Sequence, residues 1–170
     1  MGLGLTLLVV VAAIGFRFFG PEAHHEVRGN GGLVLDAVTS REIYRYPSAI
    51  PLRVVIRNEG GRPLTTTWPG TMPLEPGCAS ASQVPIPPQR DAVELWFHGD
   101  TIADDGSRHP FLWHRSEPAP ARFTLAPRGE RLVAKTRFVP PAGVSRIEGT
   151  LCVRAYGFTM TAGSYETARR

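Results

Sequence analysis

Lysine is almost missing from this chain: of nineteen basic residues only Lys135 is a lysine, and the rest are arginine. The arginines are scattered along the whole length rather than gathered on one element with interleaved aromatics. That excludes the basic footprint of a nucleic-acid-binding surface. A formal net charge of +4 adds little to that side of the balance. There is no phosphate-binding glycine loop, no dinucleotide fingerprint and no Cys-x-x-Cys-His haem site. Ser80 and Ser82 lack a Gly-x-Ser-x-Gly elbow, so no serine nucleophile is marked and no enzyme activity is expected. Cysteine is scarce as well. Cys78 and Cys152 match no metal spacing; they either form one disulfide in an oxidising compartment or stay two thiols, one buried as a small apolar side chain. No long amphipathic helical pattern occurs beyond the N-terminus, which leaves short strands and turns as the material of the body.

What the chain does have begins at its first residue. Met1 to Phe16 carries no charge, and Leu3, Leu5, Leu7, Leu8, Val9, Val10, Val11 and Ile14 make it strongly apolar. As a helix this stretch reaches roughly 24 Å, close to the ~30 Å of a bilayer's hydrocarbon core. Arg17 can snorkel to the headgroups while Phe18 and Phe19 sit at the interface, Phe16 closing the apolar run. Gly20-Pro21 is a natural stop. No basic residue precedes the run and no small-x-small cleavage site follows it, which reads as a retained transmembrane anchor rather than a signal peptide. Arg17 and Arg28 weakly favour a cytoplasmic body by the positive-inside rule. A sandwich with one disulfide favours the exported side, and a periplasmic or extracytoplasmic body is the expectation.

The chain holds sixteen prolines and eighteen glycines, with strand and turn signals about every ten residues beyond the N-terminal stretch, the spacing of a sandwich or barrel. The expected organisation is an anchor at 1–20, a connector at 21–32, an all-β sandwich domain at 33–158 and a polar tail at 159–170. Leu52, Val54 and Ile56 alternate with Arg53 and Arg57, and Val93, Leu95 and Phe97 alternate with Glu94, Trp96 and His98: two strands, each with one buried face. Asn58-Glu-Gly-Gly61 and Ala126-Pro-Arg-Gly-Glu130 carry turn chemistry. Ile147 to Phe158 reads as one long last strand. The stretch 69–91 differs, with prolines at 69, 73, 76, 85, 87 and 88. It is too long for an ordinary sandwich loop and is expected to be a functional flap.

The order of strand, Asn-x-Gly-Gly turn, Trp-bearing hairpin, Leu-x-Pro-x-Gly-Glu turn and a last strand after Pro-Ala-Gly resembles an immunoglobulin-like β-sandwich of bacterial exported proteins. Leu52 to Asn58 and Leu125 to Glu130 are also similar to the bacterial intracellular proteinase inhibitor family. No inhibitory-loop residue is matched, so the resemblance implies a fold and not the inhibition.

Five histidines raise a metal hypothesis: His24 and His25 lie in the connector, while His98, His109 and His114 fall in or beside one hairpin and are the candidates for a site. Zinc usually wants four ligands, and no cysteine or carboxylate completes the set at a recognisable spacing. Asp100, Asp104, Asp105 and Gly106 read as turn chemistry rather than a calcium loop. Trp96 or Trp113 is expected to fill the core. The preferred functional expectation is a non-catalytic, membrane-anchored accessory subunit without cofactor, held in a larger complex such as a respiratory or photosynthetic assembly. Its partners would be lipid and integral membrane subunits, met through Trp68, Met72, Pro85, Ile86, Arg169 and Arg170. The alternatives are an extracytoplasmic ligand- or metal-binding module and a membrane-tethered protease inhibitor.

Overall fold

A computed structural model of the chain describes residues 22–67, 78 and 91–166. The anchor expected at 1–20 lies outside them, as do Trp68, Met72, Pro85, Ile86, Arg169 and Arg170. Among the described residues no helix is long and apolar enough to cross a membrane.

The described chain is all-β. Its strands are β1 (Ala23–Arg28), β2 (Leu33–Thr39), β3 (Ile43–Tyr44), β4 (Ile50–Asn58), β5 (Leu64–Thr67), β6 (Ala92–Ile102), β7 (Arg108–Pro118), β8 (Arg122–Leu125), β9 (Glu130–Phe138), β10 (Arg146–Ala155) and β11 (Phe158–Tyr165). One sheet runs in the order β1-β2-β4-β9 and a second in the order β3-β11-β10-β6-β7, with β5-β8 as a separate ribbon. The sheets meet through a single core. Leu35, Leu52, Val54 and Ile56 come from the first sheet, and Val93, Leu95, Phe97, Leu151, Val153 and Tyr165 from the second. At its centre Phe138 stacks on Phe97 at 4.7 Å between ring centroids and meets the edges of Trp113 and Tyr165. Burying such rings is the main favourable term holding the layers together.

The alternating residues of β4 and β6 form strands as their period of two requires. Two features differ from the sequence expectation. Residues 23–28, expected as connector, form β1, an edge strand whose inner residues are only half buried, so its apolar signal is weak. The last strand is two: β10 and β11 form a hairpin around Tyr156 and Gly157, both in the left-handed region at φ 47° and 88°. The hairpin therefore extends to Tyr165, well into the expected tail. Between the two tryptophans left open as core candidates, Trp113 packs against the core, whereas Trp96 lies on the other face of its strand.

Asn58 shows why the Asn-x-Gly-Gly signal matters. Its buried amide donates to the carbonyls of Arg62 (2.8 Å) and Ala126 (3.0 Å), while its Oδ1 accepts from the Gly60 amide (2.9 Å). One side chain thus joins the turn after β4 to the turn between β8 and β9.

Candidate functional site

Two surfaces gather polar chemistry, one on the outward face of each sheet. On the second sheet, register alone builds the arrangement. Glu94, Trp96 and His98 run along the middle of β6. Arg154, Cys152 and Thr150 stand opposite them on β10, and Ser116, His114 and Leu112 on β7. Cys78 and Cys152 form a disulfide with a Cα–Cα distance of 6.0 Å. With Trp96 they make a small buried cluster of their own. The bond thus ties the proline-rich stretch to one outward sheet face; it does not cross between sheets as an immunoglobulin domain's does.

Beside that cluster sits a buried ion pair. Glu94 is 0 % exposed and Arg154 6 %; Arg154 Nε donates to Glu94 Oε2 at 2.6 Å. The Arg154 guanidinium also lies 5.6 Å from the Trp96 ring centre. His114 Nε2 stands 3.8 Å from Glu94 Oε1, too far for a hydrogen bond. Glu94 Oε1, Ser116 Oγ and Thr159 Oγ1 are buried without a hydrogen-bond partner among the described residues. Native structures keep such atoms rare, because each costs about 1–3 kcal/mol.

The histidine site suggested by the sequence does not assemble. Register sets His98 opposite Leu112 and His109 opposite Thr101, so the two do not face each other. Counting along β7 in steps of two puts His114 on the Trp96 face and His109 on the other, where its Nε2 lies 3.2 Å from Ser107 Oγ. Alternation of side chains, invisible in a list of nearby histidines, separates them. Asp105 accepts the Ser107 amide at 2.9 Å, the turn role expected for it; hydrogen bonding to Ser107 holds its carboxyl below the usual range.

No family model, curated protein or solved structure matches this chain significantly, so the geometry carries the functional argument by itself.

On the first sheet, β1, β2 and β4 bring together residues that the sequence reading left unconnected. Glu26 pairs with Asp36 across β1 and β2. Asp36, 1 % exposed, accepts His24 Nδ1 at 2.8 Å and Arg57 Nη1 at 3.0 Å. Arg57 also bonds Glu26, and Arg28 bonds Glu26 and Glu59. The hydrogen bond from Arg57 holds the Glu26 carboxyl below the usual range. Burial works against the Arg57 charge, but Glu26, Asp36 and Glu59 outweigh it and raise its pKa. The ligand atoms of His24, Glu26 and Asp36 lie within 4.8 Å of one another, the spacing of a metal site. Arg57 already supplies a cation to both carboxylates.

His25, on the opposite side of β1, is half buried. Burial lowers its pKa below 6.5, and the charges of Glu42 and Asp36 only partly oppose this. The unfolded chain therefore takes up a proton that the fold resists, so stability falls as pH drops below 6.5. Urea unfolding at neutral and mildly acid pH should show a smaller acid-induced loss in His25→Gln than in the parent. An equal loss in both proteins would assign the pH effect to other groups.

Proposed function

We propose that this chain is a non-catalytic accessory subunit of a larger membrane assembly, anchored by residues 1–20, whose sandwich presents the proline-rich stretch 69–91 to integral membrane neighbours. The observation that carries this reading is the disulfide from Cys78, inside that stretch, to Cys152 on an interior strand of the second sheet. A long segment pinned at an internal point has lost part of its freedom before any partner arrives, so less is lost on binding. The disulfide also supports an extracytoplasmic body, since such bonds persist in oxidising compartments.

The full chain, extracted in mild detergent, is expected to co-purify with integral membrane subunits and to crosslink to them from positions 69–91. Cys78→Ala combined with Cys152→Ala should weaken that association while leaving the chain in the membrane fraction. A chain that elutes alone from mild detergent, with no crosslinked neighbour, overturns the proposal.

The cluster of His24, Glu26 and Asp36 favours a second reading, a metal-binding module. It requires stoichiometric zinc or a similar ion after dialysis, lost in His24→Ala.

A further inference from the structure

The end of the sandwich where β1 starts has its own chemistry. Ala23, the first residue of β1, pairs with Thr39, the last of β2, and Thr39 pairs with Leu52 near the start of β4. The next residues of the chain, Ser40 and Arg41, therefore lie at the end of the sandwich where β1 starts. There Ser40, Arg41, Tyr44, Ser48, Pro51 and Arg137 line a depression of about 320 Å³. Arg137 reaches it from β9, whose register sets it opposite Pro51.

Three properties suit this depression to an anion. Arg41 and Arg137 are both exposed, and among the described residues neither is paired with a carboxylate, unlike Arg28, Arg53, Arg57, Arg108, Arg115 and Arg154. The Ser48 hydroxyl, and whichever proton the Ser40–Tyr44 hydrogen bond leaves free, supply neutral donors beside them. The loop is also held in place. The buried Tyr44 hydroxyl accepts the Arg41 amide at 3.1 Å and lies 2.9 Å from Ser40 Oγ, Thr39 Oγ1 donates to the Arg41 carbonyl at 2.6 Å, and the Tyr165 hydroxyl donates to the Ser48 carbonyl. Guanidinium pairs with neutral donors are the usual recognition of a phosphate.

The surroundings indicate where that phosphate is carried. Ile43 and Val139, at the same end, are 48 % and 61 % exposed. Apolar side chains flanking arginines suit the boundary between headgroups and acyl chains. Arg45 adds charge of the same sign, while the charge of Arg53 is offset by Glu22. Glu42 and Glu166 lie at this end but outside the depression, and Asp104 and Asp105 are in the β6–β7 turn, across the sheet from β3.

We infer that the depression between Arg41 and Arg137 binds the phosphate of an anionic phospholipid headgroup in the membrane that holds residues 1–20. The orientation rests on the anchor reading above; the anion site rests on the described residues alone.

The test uses the full chain in a neutral detergent, titrated with short-chain phosphatidylglycerol, short-chain phosphatidylcholine and inorganic phosphate. The amide resonances of Ser40 to Arg45 are followed by NMR. Phosphatidylglycerol is expected to shift them saturably and phosphatidylcholine far less. Arg41→Ala and Arg137→Ala should each weaken the response about tenfold, the effect of one charge-assisted contact, with partial rescue by Arg41→Lys. Neither side chain is in the core, so both variants should fold. Saturation by inorganic phosphate with no lipid response overturns the lipid assignment. No response to any of the three overturns the site, and a response unchanged in both variants overturns the residues. Extraction of the membrane-bound chain with alkaline carbonate is read separately. Release of the chain overturns the anchor, and with it the orientation, while the titration still decides the anion site.

Discussion

Arg154→Ala should cost about 3–5 kcal/mol of folding stability, because it strands the Glu94 carboxylate in a site with no water to stabilise it. Glu94 is 0 % exposed and its bonded oxygen receives Arg154 Nε at 2.6 Å. His114, 3.8 Å from the other oxygen, is too distant to take over. Removing both charges together tells the two halves of the argument apart. Glu94→Leu with Arg154→Leu should recover most of the loss, since buried pairs contribute little beyond an apolar pair of similar volume. Urea unfolding of the two single variants and the double variant gives the coupling directly. Losses that simply add would show that the pair does not interact in the fold. If the double variant folds stably yet no longer crosslinks from positions 69–91, the charges serve the contact face more than the core.

Opening the Cys78–Cys152 bond should be the other large effect. It joins residues 74 positions apart, and closing a loop of that size removes enough freedom from the unfolded chain to stabilise the fold by about 4 kcal/mol. Cys78→Ala with Cys152→Ala, and the parent treated with dithiothreitol, should lower the urea midpoint by similar amounts. A reduced protein as stable as the oxidised one would mean that strain in the fold offsets the entropic gain. The same experiment bears on compartment: a protein that needs this bond is expected to fold poorly in a reducing cytosol.

These expectations rest on features that the sequence displayed unequally. The all-β body was legible in the alternation of Leu52, Val54 and Ile56 and of Val93, Leu95 and Phe97, and in the Asn58 turn, because a strand's period and a turn's backbone needs are local properties. β1 was not legible. Its residues, Ala23 to Arg28, look like a polar connector, and they become a strand only because β2 offers a long edge to pair with. Trp96 and Trp113 could not be told apart either: both are large, both alternate with polar neighbours, and only the fold shows which side of the sheet meets the other sheet.

Residue types and local patterning determined that this chain would build short alternating strands, where its turns would fall, and that a strongly apolar stretch would precede them. Tertiary structure alone decided which residues meet. Strand pairing is a non-local choice, and a shift of one residue sends every side chain to the opposite face. That choice separated His109 from His114 and placed Arg154 against Glu94. It brought His24, Glu26 and Asp36 together from strands the sequence treats as unrelated. It also set Arg41 and Arg137, far apart in the chain, around one depression at the end of the sandwich where β1 starts.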